Sequence, residues 1–379
     1  MREPETRSSI GRLIAPLAKF IDWSALQFSW ALHLGLLQKP HAAELNPALQ
    51  AAIEFLNGPD FIPTESRSAR LDFHPDGSGR HFRFATPQPG EFAVNNVVYG
   101  RVYPGAERWR ERPAIILLHG AGDFLNHRFR FPRVARRCNQ AGFNAATLVL
   151  PYHFQRCPRD LQSWGRTGYY VEVAKTFAQA VAEIRALTGW LLGEGCPAVV
   201  LWGISLGGWL AGLTASRDGR LAAVVLTIPG VGTNLNLVKG EAVVWPRVRQ
   251  FLEKQRSAYQ ALNRTPLNLT SLRPVIAQDR ILLIEGVHDL WVGSETIEEL
   301  WRAWERPEIW RLPHGHISLM GVPGLTDRVL GWLSPRLDSA GHGEIERRRV
   351  GQDQRGAKSL LSQPAASASF PHDNDESSR

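Results

Sequence analysis

The length, composition and charge of the chain exclude several classes of protein. Its 379 residues, 44% hydrophobic and 21% charged, are typical of a globular protein with a large buried core. The net charge of +8 is spread along the chain without a helix-turn-helix, zinc-finger or RNA-recognition signature, so we expect no nucleic-acid partner. Three cysteines without C-x-x-C spacing argue against a disulfide framework and predict a reducing, cytoplasmic location.

An amphipathic stretch occupies residues 10–37, where Ile10, Leu13 and Ile14 begin a helical spacing of apolar side chains. This pattern predicts a helix docked on the core, within an N-terminal helical segment over residues 1–60. The alternative is a helix that lies in a membrane interface and gives the chain peripheral membrane contact, because tryptophans and flanking bases suit that position. Charged residues leave no uncharged run long enough to span a bilayer.

The central part of the chain alternates between strand and helix patterns. Residues 71–74, 81–84 and 96–103 predict short antiparallel strands. A helical segment such as residues 170–192 separates the later strands, so the chain predicts an α/β fold with a mostly parallel, doubly wound sheet. Continuous apolar runs mark the parallel strands, which we place at residues 114–118, 145–150, 198–202, 222–228 and 281–284.

An insertion and a tail complete the predicted domain organisation. Residues 230–279 interrupt the alternation with amphipathic and polar material. They form either a helical lid or an extra pair of surface helices. Past Leu337 the composition shifts to Ser, Gly, Arg, Pro and Asp, which predicts a disordered tail over residues 337–379. One α/β domain is therefore expected over residues 61–336.

Residues 203–207 read Gly-Ile-Ser-Leu-Gly, between a buried-strand pattern and a helical one. This G-x-S-x-G motif predicts a nucleophile elbow, a sharp turn that lifts Ser205 out of the sheet. Gly203 and Gly207 lack side chains that would collide across the turn, and Gly208 lets the following helix pack closely. The structural alternative is a glycine-rich turn that carries a serine without chemical consequence.

A serine hydroxyl needs a general base, and that base needs an orienting carboxylate. The carboxylate should follow a late strand, and Asp289 lies three residues after Gly286 at the end of such a run. Glu285, still on the strand, and Asp123, beside an early glycine-rich loop, are weaker candidates. A loop aspartate that caps the helix near Ser294 is the structural alternative.

The base should come last along the chain, after one further strand that residues 308–312 predict. His314 and His316 follow that strand, and we favour His316, which leaves His314 as a neighbouring pocket residue. The order Ser205, Asp289, His316 is one of the known orders of a catalytic triad. A zinc site made by the two histidines and Asp289 would leave the elbow without a purpose, so we predict no metal and no cofactor.

Negative charge that develops on a substrate oxygen needs backbone donors. The residue after the nucleophile, Leu206, is expected to supply one amide. A glycine-rich loop, residues 119–123, follows the first parallel strand. It would supply the second amide of this oxyanion hole from Gly120 or Ala121, and the sequence leaves both open.

These motifs together resemble the α/β-hydrolase superfamily. The resemblance spans about residues 114–333 and implies an eight-stranded, mostly parallel sheet and hydrolysis of esters, thioesters or amides. A looser similarity, at residues 120–123, 128–132 and 151–153, is to a little-characterised branch of abhydrolase-domain proteins and implies no substrate. The motifs that carry the main resemblance are His119-Gly120-x-Gly122, Gly203-x-Ser205-x-Gly207, Asp289 and Gly315-His316.

The residues and the resemblance together predict a serine hydrolase that acts on carboxylic esters through an acyl-enzyme intermediate. A small-molecule or lipid-like ester is the expected substrate. An acyltransferase, a thioesterase or a peptidase on the same fold is the alternative within this class, because the triad is common to all of them. A non-catalytic binding scaffold is the alternative from a different class.

Overall fold

A computed structural model describes residues 9–33, 42–74, 80–105, 107–158, 169–233 and 242–337. The predicted C-terminal tail lies outside the described residues, apart from Leu337 at the end of the last helix. The strands are β1 (Asp72–His74), β2 (Arg80–Ala85), β3 (Val97–Tyr103), β4 (Ala114–Leu118), β5 (Asn144–Leu148), β6 (Val199–Ile204), β7 (Leu221–Thr227), β8 (Ile281–Gly286) and β9 (Glu308–Leu312). The helices are α1 (Ser9–His33), α2 (Ala42–Asn57), α3 (Phe131–Gln140), α4 (Tyr169–Gly193), α5 (Leu206–Ala215), α6 (Pro246–Leu262), α7 (Ser294–Ala303) and α8 (residues 325–337).

The described strands form a nine-stranded sheet in the order β1-β2-β3-β5-β4-β6-β7-β8-β9. Strands β1, β2 and β3 pair antiparallel, and β3 also runs antiparallel to β5. All pairs from β5 to β9 are parallel. The predicted mostly parallel sheet with antiparallel N-terminal strands is thus confirmed. The implied number of eight strands is one too few, because the short, exposed β1 adds an edge to β2.

Helices cover both faces of the sheet, because side chains on a strand point alternately to opposite faces. Every residue of β4 is buried. Ile116 and Leu118 pack into a cluster that includes side chains of α2, α4 and α5. Ile115 and Leu117 pack into a second cluster with side chains of α3 and α8. The continuous apolar runs in the sequence therefore mark strands that are buried on both sides.

The strand order reverses between β4 and β6, the two central strands that carry the glycine-rich loop and the G-x-S-x-G motif at their carboxyl ends. In open parallel sheets, ligands bind in the crevice outside the carboxyl ends of the strands at such a switch point. The loops after β8 and β9 open at the same edge, since these strands run parallel to β6 and β7. All predicted site residues are thus carried to one edge of the sheet.

Helix α1 packs beside this edge through Ala18, Asp22 and Leu26, which are buried at intervals of four residues. Leu26 contacts a small apolar cluster that includes Val248 and Leu252 of α6. The side chain of Gln27 donates to the carbonyl of Ala242 at 2.8 Å, which ties α1 to the start of the insertion. The N-terminal helix therefore lies between the loops of the sheet and the described part of the insertion.

Candidate active site

Ser205 lies in the turn between β6 and α5 with φ 53° and ψ −113°, a conformation that is strained for a residue with a side chain. Its amide donates to the carbonyl of Thr227 at 3.0 Å, which fixes the turn to β7. A Cβ at Gly203 would overlap the backbone of Gly207, and one at Gly207 would overlap the backbone of Leu118. The two motif glycines are therefore required by backbone contacts inside the turn.

The side chains of Ser205, His316 and Asp289 form a continuous hydrogen-bonded chain. Nε2 of His316 lies 3.0 Å from Oγ of Ser205, and Nδ1 lies 2.7 Å from Oδ2 of Asp289. A carboxylate oxygen only accepts, so Nδ1 carries the proton and Nε2 of the neutral ring is free to accept the serine proton. The structure brings together the three residues that the sequence proposed as a triad.

Asp289 is held in place by its own loop. Its Oδ1 accepts the amides of Trp291 at 2.7 Å and Val292 at 2.9 Å, while Oδ2 is directed at His316. The residue that precedes α7 is Gly293, and the hydroxyl of Ser294 donates to the carbonyl of Val287. Asp289 therefore orients an imidazole rather than capping α7, which excludes the structural alternative.

The weaker candidates have other contacts. Glu285 accepts from Arg311 at 3.0 Å on the neighbouring strand. Asp123 accepts from the side chain of Asn126 at 2.8 Å in the glycine-rich loop. Among the described residues, Nδ1 of His314 has no hydrogen-bond partner. None of these three side chains occupies a place in the chain of hydrogen bonds to Ser205.

Burial and three carboxylates act in opposite directions on the pKa of His316. Burial lowers it, but the charge and hydrogen bond of Asp289, together with the charges of Asp22 and Asp123, outweigh burial. The pKa is therefore raised above the usual value of 6.5 for histidine. The indole of Trp291 stacks on the imidazole with ring centroids 5.2 Å apart and planes at 4°, which restrains its rotation.

The backbone near Ser205 offers the donors expected of an oxyanion hole. Among the described turns and loops, no backbone carbonyl accepts the amide of Leu206, Gly120 or Ala121. Gly120 lies directly against Ser205, since a Cβ added to Gly120 would be 3.4 Å from the Cβ of Ser205. Both loop amides are therefore candidates beside that of Leu206.

Buried His119 anchors the glycine-rich loop, a role that the sequence did not reveal. Its Nε2 accepts the amide of Leu150 at 3.1 Å, so Nδ1 carries the proton and donates to the carbonyl of Gly120 at 2.7 Å. Burial and nearby His153 lower its pKa well below the usual value, which favours the neutral ring. The only signal available in the sequence was its position at the end of β4.

The described residues contain no group of three or more His, Cys, Asp or Glu side chains arranged to hold a metal ion. Three histidines do lie close together behind the glycine-rich loop. The ring of His119 lies 5.3 Å from that of His127 and 4.9 Å from that of His153, between centroids. Burial lowers the pKa of His127 to about 4, which favours its neutral ring, and the ring also packs on that of Phe154.

Known proteins share this fold and part of this sequence. Residues 81–240 match the family described as alpha/beta hydrolase domain containing 18. This match includes the glycine-rich loop and the elbow, and it ends before Asp289 and His316. The chain therefore has the α/β-hydrolase fold that its motifs predicted, and its residues 81–240 match a family of that fold.

Two uncharacterised Mycobacterium tuberculosis proteins, MT2702 of strain CDC 1551 and Rv2627c of strain H37Rv, are each 28% identical to this chain over 250 residues. The alignment covers 61% of this chain and 57% of each relative. The chain thus spans little more than half the length of these relatives.

Among solved structures, an acetyl xylan esterase from Paenibacillus sp. R4 is similar with a TM-score of 0.50 and 14% identity, over 77% of this chain and 95% of that one. The Pyrococcus furiosus esterase Pf2001 has a TM-score of 0.48 and 14% identity, over 72% of this chain and 98% of that one. At this level of identity the likeness to the acetyl xylan esterase shows a common fold.

The raised pKa of His316 predicts a pH-dependent contribution to stability. The folded state binds the imidazole proton more tightly than the unfolded state, so the contribution is present below about pH 6.5 and is lost as pH rises through the folded pKa. We expect the difference in unfolding free energy between the wild type and His316→Gln to be larger at about pH 5.5 than at about pH 8.5. Urea unfolding at both pH values measures it, and an equal difference would contradict the prediction.

Proposed function

We propose that this protein is a serine hydrolase that cleaves carboxylic esters. The observation that carries the proposal is the hydrogen-bonded chain Ser205–His316–Asp289, with distances of 3.0 Å and 2.7 Å, at the carboxyl edge of the sheet. The serine is strained and partly exposed, while both of its partners are buried. This combination supports a nucleophile that substrate can reach and a base that bulk water cannot.

In the proposed reaction, Oγ of Ser205 attacks the acyl carbon of the ester while its proton passes to Nε2 of His316. The tetrahedral intermediate collapses, the C–O bond to the alcohol breaks, and the imidazolium returns the proton to the departing oxygen. Water then attacks the acyl-enzyme with the same base, which releases the acid and restores the serine. Asp289 keeps Nδ1 protonated and stabilises the imidazolium in both half-reactions.

The developing oxyanion would accept hydrogen bonds from the amide of Leu206 and from that of Ala121 or Gly120. Removal of one such donor typically reduces transition-state stabilisation by about 3 kcal/mol. His119 supports this arrangement, because its bonds to Gly120 and Leu150 fix the loop that carries the second donor. The hole is thus built from two loops that meet at the switch point of the sheet.

An apolar or lipid-like acyl group is the substrate that we favour. Phe124, Leu125 and Phe129 follow the glycine-rich loop and are 52%, 70% and 52% exposed. Ile317, beside the proposed base, is 41% exposed. Large apolar side chains that stay exposed near a site support contact with apolar ligand surface.

Replacement of the proposed nucleophile tests the function directly. We expect Ser205→Ala to reduce turnover of p-nitrophenyl esters by on the order of 10³-fold or more, and to abolish labelling by a fluorophosphonate probe, because the attacking oxygen is lost. Ser257→Ala, which changes an exposed serine on α6, serves as the matched control. Turnover or labelling that survives in Ser205→Ala would refute the assignment.

The related reactions differ in the bond broken and in the acceptor. A panel of esters, thioesters and amides, each assayed with and without an alcohol acceptor, separates an esterase from a thioesterase, a peptidase and an acyltransferase. A non-catalytic scaffold would leave Ser205 unlabelled by the probe in the folded wild type.

We also propose that this protein is cytoplasmic and touches membrane surfaces peripherally through α1. Among the described residues, every helix is too short or too polar to traverse a bilayer. Leu17, Phe20 and Phe28 lie on the face of α1 opposite Ala18, Asp22 and Leu26 and are 60%, 63% and 67% exposed. An exposed apolar helix face on a chain of net charge +8 suits an anionic membrane interface.

Vesicle sedimentation tests this contact. We expect the wild type to sediment with phosphatidylserine-containing vesicles, and the combined Leu17→Ser, Phe20→Ser and Phe28→Ser variant to stay in the supernatant, because the inserted apolar area is lost. Val275→Ser, at an exposed apolar residue outside α1, is the control. Equal sedimentation of the triple variant and the wild type would exclude the contact through α1.

A further inference from the structure

A fully buried carboxylate from the N-terminal helix lies beside the proposed triad. Asp22 of α1 has no exposed surface, and no lysine or arginine of the described residues is among the charges that act on its carboxylate. Burial raises its pKa, and the nearby charge of Asp289 adds to this, although backbone amides oppose both effects. A buried acid without a cation is costly to a fold unless its oxygens are fully hydrogen-bonded.

Backbone amides of the two triad loops satisfy this carboxylate. Oδ2 of Asp22 accepts the amide of His316 at 2.6 Å and that of Leu290 at 3.1 Å. Oδ1 accepts the amide of Ile317 at 2.9 Å. Leu290 directly follows Asp289 in the chain, so one side chain from α1 bridges the loop of the carboxylate and the loop of the base.

Two further contacts fit the same arrangement. The backbone carbonyl of Asp22 accepts the indole N–H of Trp291 at 3.1 Å, and that indole stacks on the imidazole of His316. A Cβ added to Gly315 would lie 2.5 Å from Oδ2 of Asp22, which is too close for any side chain. The carboxylate of Asp22 therefore leaves room only for glycine at the position before the proposed base.

We propose that Asp22 is a positioning residue, which holds the loops of Asp289 and His316 at the separation that lets Nε2 reach Ser205. This inference rests on the proposed function, since positioning has a catalytic effect only if Ser205 is the nucleophile. Asp22 touches no reacting atom and acts through the two loops. Its charge also faces His316, together with the charges of Asp289 from the loop after β8 and Asp123 from the loop after β4.

Asp22→Asn keeps the size of the side chain but places an amide N–H₂ against a backbone donor. We expect kcat for p-nitrophenyl esters to fall about 10- to 100-fold with little change in KM, because small displacements of catalytic groups have effects of this size. The acid limb of kcat/KM should move to lower pH, since loss of a negative charge lowers the pKa of His316. Asp60→Asn, at an exposed aspartate, controls for net charge.

Gly315→Ala provides an independent test through the contact with Asp22. We expect the single variant to reduce kcat, because the new methyl group would displace the carboxylate. In the Asp22→Ala background the same change should add little, because the atoms it would strike are gone. Additive effects of the two substitutions on kcat would mean that Asp22 and Gly315 act separately, which would overturn the inference.

Hydrogen exchange supplies a measurement that does not depend on activity. In the wild type, peptides that contain the amides of Leu290, His316 and Ile317 should exchange slowly, and Asp22→Asn should speed their exchange more than that of α4 peptides. Fast exchange of these amides in the wild type would refute the positioning role of Asp22 even if Asp22→Asn did not fold. A folded Asp22→Asn variant with lower Tm but wild-type kcat and pH profile would reduce Asp22 to an anchor for α1.

The two proposals fail in different ways. If the wild type is neither labelled at Ser205 nor active on any ester, the proposed function is wrong, and so is the catalytic role of Asp22. The exchange result would still show whether Asp22 holds the amides of Leu290, His316 and Ile317. A wild type that is labelled and active, with Asp22→Asn indistinguishable from Asp60→Asn in kcat and pH profile, removes the role of Asp22 alone.

Discussion

The two hydrogen bonds of the His316 ring are the interaction on which the arrangement of this site depends. They join Ser205 on one loop to Asp289 on another, over distances of 3.0 Å and 2.7 Å. An imidazole bridges two partners only when both lie in its plane at fixed separation. The separation of Ser205 and Asp289 at the carboxyl edge of the sheet therefore depends jointly on the strand register, the elbow and the packing of α1.

Several unfavourable features of the molecule lie at this edge. Ser205 has a positive φ, and the turn around it tolerates no Cβ at Gly203 or Gly207. Asp22 is buried without a lysine or arginine partner among the described residues and accepts hydrogen bonds from three backbone amides. The sheet, whose central parallel strands are buried on both faces, supplies the stability that holds such strained groups in place. Strain and buried charge concentrated at one site are typical of function.

Much of the fold and part of the site could be predicted from local patterns. Continuous apolar runs located the parallel strands within a few residues, because burial on both faces leaves no room for polar side chains. The G-x-S-x-G motif located Ser205 because a tight strand-to-helix turn demands glycine at fixed positions. Asp289 and His316 were proposed from chain order, and their predicted catalytic roles still await the experiments above.

Other features depend on contacts between distant segments. In the sequence, Asp22 is merely a charge that interrupts an apolar helix. The amide of His316, which donates a hydrogen bond to it, lies 294 residues later. His119 likewise gave no sign that it would bond Leu150, 31 residues away. His314 and His316 both follow β9 closely, and the backbone path after the strand directs His316 and not His314 at Asp289.

Local patterns in the amino-acid sequence are enough to predict most strands and helices, the mostly parallel sheet and the chemical groups available at its carboxyl edge. Periodicity and glycine placement are local consequences of backbone geometry, so they can be read one segment at a time. Which polar groups meet depends on how distant segments pack, because a hydrogen bond requires two atoms within about 3 Å. The position of α1 beside the proposed triad is one example, because it depends on packing between segments that are far apart in the chain.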